Sequence, residues 1–139
     1  MNAEIPFDEL KIGQTASTTR TFTEKDVRES NRLLGDSNPI HNDLAFAKKT
    51  IFRETIVPGA LLIALLSDLA SSKLPGSGYV YMKQKVRFLK PVKAGDTITA
   101  TIECIEKIGK KRIAVFSTEF RNQFGETVLV ETSTDKFIG

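Results

Sequence analysis

Hydrophobic and polar positions change their rhythm several times along this chain. Gln14 to Phe22 is rich in Thr and predicts a first strand. Thr23-Glu24-Lys25-Asp26 then has the form of a helix N-terminus with an acidic residue at the third helical position, and that helix runs to about Leu34, where Gly35 is the expected C′ residue. Asn42 or Asp43 can cap a second, short helix through Ala45, Phe46, Ala47 and Lys48. Pro58-Gly59 opens a run from Ala60 to Ala70 with almost no polar stripe before Asp68, and Pro75-Gly76 closes it. A helix of about 14 residues spans roughly 21 Å, too short for a bilayer core, so its apolar faces must be enclosed by protein.

The C-terminal half supplies the enclosure. Val80, Met82, Val86 and Phe88 alternate with Tyr79, Tyr81, Lys83, Lys85 and Arg87, which predicts a strand with one buried face that Gln84 interrupts. Three more strands follow: one with Ile98, Ala100, Ile102 and Cys104 inward, one from Ile113 to Phe120, and one containing Val128 and Val130. Short connections at Gly109 and Gly125 favour an antiparallel meander. A curved sheet around one apolar helix, an α+β fold in a single domain over residues 1–139, is the economical arrangement.

Composition narrows the partners more than the fold. Twenty Lys and Arg against 17 Asp and Glu leave a formal charge of +3 without a long basic block, so no nucleic acid is expected. One cysteine, Cys104, cannot form an internal disulfide and sits in a strand pattern as a small core hydrophobe. One histidine and one cysteine are too few for a zinc site, and no metal is expected. Met1 to Lys11 carries Glu4, Asp8 and Glu9 and no apolar stretch, so a signal peptide is not expected and the expected compartment is cytoplasmic or an organelle matrix.

The chemistry concentrates in Gly35-Asp36-Ser37-Asn38-Pro39-Ile40-His41-Asn42-Asp43, which sets the single histidine beside a carboxylate in a loop predicted to be rigid and non-helical. Around an α-helix Asp36 and His41 would lie roughly 140° apart, whereas a loop stiffened by Pro39 can bring them together. A carboxylate and an imidazole converging on one water suit acid-base work near neutral pH. The same residues also suit an Asx turn and a helix cap, and taken alone they leave both readings open.

Gly35-Asp36-x-Asn38-Pro39-x-His41-x-Asp43, the apolar helix behind Pro58-Gly59, Leu74-Pro75-Gly76-x-Gly78 and Phe88-x-x-Pro91-Val92-x-x-Gly95-Asp96, in that order, resemble the MaoC-like (R)-specific enoyl-CoA hydratases over nearly the whole chain. The resemblance implies a hot-dog fold, two subunits joined sheet edge to sheet edge, and addition of water to trans-2-enoyl thioesters to give (R)-3-hydroxyacyl thioesters, without a metal or redox cofactor. It implies Asp36 and His41 as the catalytic pair, the Gly59 backbone N–H as an oxyanion-hole donor, and Asn38 and Ser67 as substrate-binding or supporting residues. Gly59 admits close backbone approach at the positive end of a helix dipole, where a developing enolate needs fixed donors.

The resemblance has one departure. Many of these hydratases carry His-Gly-Met before the central helix, whereas this chain has Pro58-Gly59-Ala60, closer to the Pro-Gly at the corresponding place in acyl-carrier-protein dehydratases. The expected partner is an acyl-CoA, with an acyl carrier protein as the other carrier. Lys83, Lys85, Arg87, Lys90 and Lys93 can meet CoA phosphates or simply solvate a sheet face. Three other readings on the same fold are a 3-hydroxyacyl-carrier-protein dehydratase, a thioesterase and a non-catalytic acyl-thioester binding module.

Overall fold

A computed structural model describes residues 3–139. Its elements follow the patterns above: β1 (Thr15–Thr21), α1 (Glu24–Leu34), the short α2 (Leu44–Ala47), α3 (Gly59–Ser72), β2 (Tyr79–Phe88), β3 (Thr97–Ile108), β4 (Ile113–Arg121) and β5 (Thr127–Phe137). Helix α1 starts in a capping box: the Thr23 hydroxyl accepts from the Asp26 N–H at 3.1 Å, and the Asp26 carboxylate accepts from the Thr23 N–H at 3.0 Å. The bond from the Thr23 backbone, more than the nearby Arg20, holds the Asp26 carboxyl below its ordinary range.

The strands form one antiparallel sheet in the order β1-β3-β4-β5-β2, so β3, β4 and β5 are the expected meander and β1 and β2 are its edges. Leu62, Leu65, Leu66 and Leu69 of α3 belong to one buried cluster with Ile98, Ala100, Ile102, Phe116 and Phe120 from the strands. Register shifts at Tyr81/Lys83, Cys104/Glu106 and Phe120/Arg121 mark bulges, the device that bends a strand. This is the hot-dog arrangement, a long helix packed against an antiparallel sheet. Cys104 is fully buried in that core, and burial pushes its thiol above the ordinary range, the opposite of what a nucleophile needs.

Two details depart from the pattern reading. In β2 the bulge reverses the alternation, so Tyr79 and Tyr81 share the inner face with Gln84, Val86 and Phe88, while Val80 and Met82 are 44% and 59% exposed. A period-2 count carried through an extra residue assigns every position before it to the wrong face. In addition, α3 is enclosed on one side only, since Ala60, Ala64, Ser67 and Asp68 are exposed.

The inner face of β5 has an unusual composition. Leu129 is followed, two residues apart each time, by Glu131, Ser133 and Asp135, all buried. Burial pushes the Glu131 carboxyl up to about 7 against the opposing hydrogen bond from Gln84, and pushes Asp135 up to about 7. In the unfolded chain both carboxyls titrate near 4. Between about pH 4 and 7 the folded state therefore binds more protons, and these two residues make stability fall as pH rises. Urea midpoints at pH 5 and pH 8 are expected to show this loss, and Glu131→Gln with Asp135→Asn to reduce it. An unchanged pH dependence in the double variant would remove the assignment.

Candidate active site

Helix α1 ends at Gly35, whose φ of +69° is the left-handed cap conformation and whose N–H bonds the Asn31 carbonyl. The Asp36 N–H also bonds the Asn31 carbonyl, at 3.0 Å, so the carboxylate is fixed where the helix stops. Asp36 Oδ1 accepts from the Asn38 N–H at 2.9 Å, and Asn38 Oδ1 accepts from the Ile40 N–H at 3.3 Å. These bonds shape the loop. Asn38 caps one 3₁₀ turn, Pro39–His41, where the sequence predicted non-helical backbone. Pro at the first position of that turn needs no N–H partner. Asp43, not Asn42, caps α2 by accepting from the Phe46 N–H at 3.0 Å.

His41 is held from the far side. Its Nδ1 lies 2.7 Å from the Ile56 carbonyl oxygen, and the Ile56 N–H donates to the Ile40 carbonyl at 3.1 Å. A carbonyl oxygen only accepts, so Nδ1 carries the proton and the neutral ring has its lone pair on Nε2. That Nε2 faces Asp36 Oδ2 at 3.7 Å, with the imidazole and carboxylate side chains 12% and 28% exposed. This distance is too long for a direct hydrogen bond. A carboxylate oxygen and an imine nitrogen are both acceptors, and one water can donate to both.

Gly59 begins α3 beside this pair. The N-cap residue, Pro58, makes no side-chain cap bond, and the Gly59 N–H has no partner among the described residues. A first-turn amide of this kind is available to an anion. His41 and Gly59 line the same cavity of about 350 Å³, with Phe52, Ile56, Leu62 and Phe88. Asp36 is not on that wall and stands beside the imidazole. Phe88 packs so closely that a Cβ built on Gly59 would lie 2.7 Å from its ring.

Ser67 lies elsewhere. It is eight positions beyond Gly59 on α3, about 12 Å along the axis, and lines a second cavity of about 180 Å³ with Tyr81 and Asp135. The structure thus brings Asp36, Asn38, His41 and Gly59 together and sets Ser67 apart. Sequence reasoning missed the Ile56 carbonyl and the Phe88 ring. The first leaves no trace in a side-chain pattern, since any residue provides a carbonyl; the second stood in the Phe88-x-x-Pro91 motif without an indicated role. Of the basic residues, Lys90 pairs with Glu126, and Lys93 pairs with Glu54 at 2.8 Å, which raises the Lys93 ammonium above its ordinary range.

The chain is similar to known proteins along most of its length. Residues 8–123 match the family described as the MaoC like domain. The chain is 39% identical to an (R)-specific enoyl-CoA hydratase of Aeromonas caviae, across 84% of this chain and 87% of that protein. It is 35% identical to a mitochondrial 3-hydroxyacyl-acyl-carrier-protein dehydratase of Solanum lycopersicum, across 86% of this chain and 73% of that one. Among solved structures, the unliganded R-hydratase PhaJ1 of Pseudomonas aeruginosa superposes with a TM-score of 0.89 at 36% identity, covering 96% of this chain and 86% of that chain. With the Asp36 and His41 loop closed at the mouth of a helix that packs on a five-stranded sheet, and with this breadth of similarity, the chain belongs to the MaoC-like family.

Proposed function

We propose that this protein is a hydro-lyase that adds water to trans-2-enoyl-CoA, giving (R)-3-hydroxyacyl-CoA, and catalyses the reverse dehydration. The observation that carries the reading is the facing of His41 Nε2 and Asp36 Oδ2 at 3.7 Å with Nδ1 already committed to the Ile56 carbonyl. A water donating to both acceptors turns a lone pair toward the cavity. As its oxygen bonds to the β-carbon, Nε2 takes one proton, and the electron pair of the double bond moves into the thioester carbonyl. The Gly59 N–H at the positive end of α3 meets the charge on that oxygen. Nε2 then returns the proton to the α-carbon, which restores the neutral imidazole and completes the addition. Asp36 stabilises the transient imidazolium and holds the water. Every group in this sequence is water, substrate or a residue of this chain.

The same steps serve a 3-hydroxyacyl-carrier-protein dehydratase. Pro58-Gly59-Ala60 and the Solanum lycopersicum relative favour that carrier, whereas the higher identity to the Aeromonas caviae hydratase favours CoA. Two copies are proposed to pair through the free edge of β2, where Val80 and Met82 are exposed on a strand with unpaired backbone groups. No helix among the described residues is long and apolar enough to cross a membrane. A cytoplasmic or matrix location is part of the proposal.

The test is hydration of crotonyl-CoA alongside the crotonyl carrier protein, with chiral analysis of the product. The expected result is the (R)-alcohol with the CoA substrate turned over. Negligible turnover of CoA thioesters would move the assignment to the carrier-protein dehydratase, free thiol would indicate a thioesterase, and (S) product would overturn the reading.

A further inference from the structure

Beyond the catalytic cavity, a second cavity between α3 and β2 lies beside a row of polar side chains that the reaction does not use. Inner-face residues of β2 run from Phe88 at the catalytic cavity, through Val86 and Gln84, to Tyr81 at the Ser67 cavity. Across from them on β5 stand Glu131, Ser133 and Asp135, which are 2%, 1% and 3% exposed. Interior positions of a sheet that faces an apolar helix are ordinarily filled by aliphatic or aromatic side chains.

These groups are largely unsatisfied. Gln84 Nε2 donates to Glu131 Oε2 at 3.0 Å and Ser133 stands against the Asp135 carboxyl, but Glu131 Oε1, Asp135 Oδ1 and the neighbouring Thr118 Oγ1 have no hydrogen-bond partner in the described chain. Neither carboxylate has an ion-pair partner among the described residues. Buried polar groups are nearly always paired, and each exception calls for a reason. Asp135 borders the 180 Å³ cavity with Ser67 and Tyr81, so its carboxyl group forms part of that cavity's wall. An ionised carboxylate only accepts, so an occupant that pairs with it must donate.

We infer that the acyl chain runs along α3 to the Ser67 cavity and that the Asp135 carboxyl, which lines that far end, selects chains bearing a hydrogen-bond donor, a hydroxyl or an ammonium, over plain alkyl chains. This rests on the thioester reading above, because the thioester at Gly59 points its chain along α3 and Ser67 lies about 12 Å further on. A plain alkyl chain would leave the Asp135 carboxyl at this end of the cavity unpaired, whereas a donor can pair with it.

The test is calorimetric binding of saturated pantetheine thioesters, the portion that CoA and carrier proteins share, to the full-length protein. Decanoyl, ω-hydroxydecanoyl and ω-aminodecanoyl chains are compared, with butyryl as the short control. The expected result is at least tenfold tighter binding of a donor-bearing chain than of the plain one, and reversal of that preference in Asp135→Leu. Asp135→Asn, which keeps volume and hydrogen bonding, separates the two donors: a hydroxyl preference survives it and an ammonium preference does not. Unchanged butyryl binding in both variants reports that the fold and thioester site are intact. Plain decanoyl bound as tightly as both substituted chains by the wild type, with butyryl still bound, would overturn this inference alone. Loss of all thioester binding by the wild type would overturn the thioester reading with it.

Discussion

His41→Ala is expected to lower kcat for hydration by about 10² to 10⁴-fold, the usual worth of general acid-base assistance, with a much smaller change in substrate binding. The reason is geometric. Nδ1 is fixed on the Ile56 carbonyl, so Nε2 is the free nitrogen of the ring, and removing it deletes the group that accepts the water proton. Asp36→Asn is expected to be as damaging by a different route. The amide oxygen can keep the bond from the Asn38 N–H, so the loop survives, but the amide nitrogen would sit where Oδ2 now faces Nε2 and donate to its lone pair. The base would then be occupied and the imidazolium would lose its counter-charge. Steady-state kinetics with calorimetric binding of a saturated thioester distinguishes this from a structural role. Equal losses in binding and turnover would favour a non-catalytic binding module.

Gly59→Ala is the second substitution with a large expected effect, and it acts through a neighbour. The added Cβ would lie 2.7 Å from two atoms of the Phe88 ring, which is closer than van der Waals contact allows. Phe88 is 56% exposed on the edge strand, so the ring can yield, but it yields within the cavity that holds His41 and Gly59. Displacement near the N-terminal amide of α3 misplaces the thioester carbonyl, and errors of about 1 Å in such a site cost on the order of 10² in rate. Gly59→Ala is therefore expected to lower kcat by about that factor without unfolding the protein. Phe88→Ala in the same chain should restore much of the loss, since it removes the atoms with which the methyl collides. Stopped hydration rates for the four members of the cycle measure the coupling, and additive losses would contradict the steric account.

The fold was legible where local chemistry and periodicity agree. Thr23 and Asp26, Gly35, Pro58 and the alternation from Ile98 to Cys104 each specify an element end or a buried face through rules that act within a few residues. The β2 strand was misread because one bulge near Met82 inverts every position before it, and a bulge has no reliable mark in a single sequence. The site was partly legible. Asp36 and His41 stood out as residue types within one loop, and the family resemblance gave them a role, but the orientation of the imidazole depends on the backbone oxygen of Ile56, fifteen positions away. The polar wall on β5 was also hidden, because Glu131, Ser133 and Asp135 read as the solvent side of a strand until the sheet places them inside.

The account depends most on where the reacting carbons sit relative to Asp36, His41 and Gly59. A crystal structure with (R)-3-hydroxybutyryl-CoA bound tests this directly. The predicted result has the 3-hydroxyl within hydrogen-bond reach of both Asp36 Oδ2 and His41 Nε2, and the thioester oxygen accepting from the Gly59 N–H. A bound product whose hydroxyl meets neither side chain, or whose thioester oxygen points away from the start of α3, would contradict it.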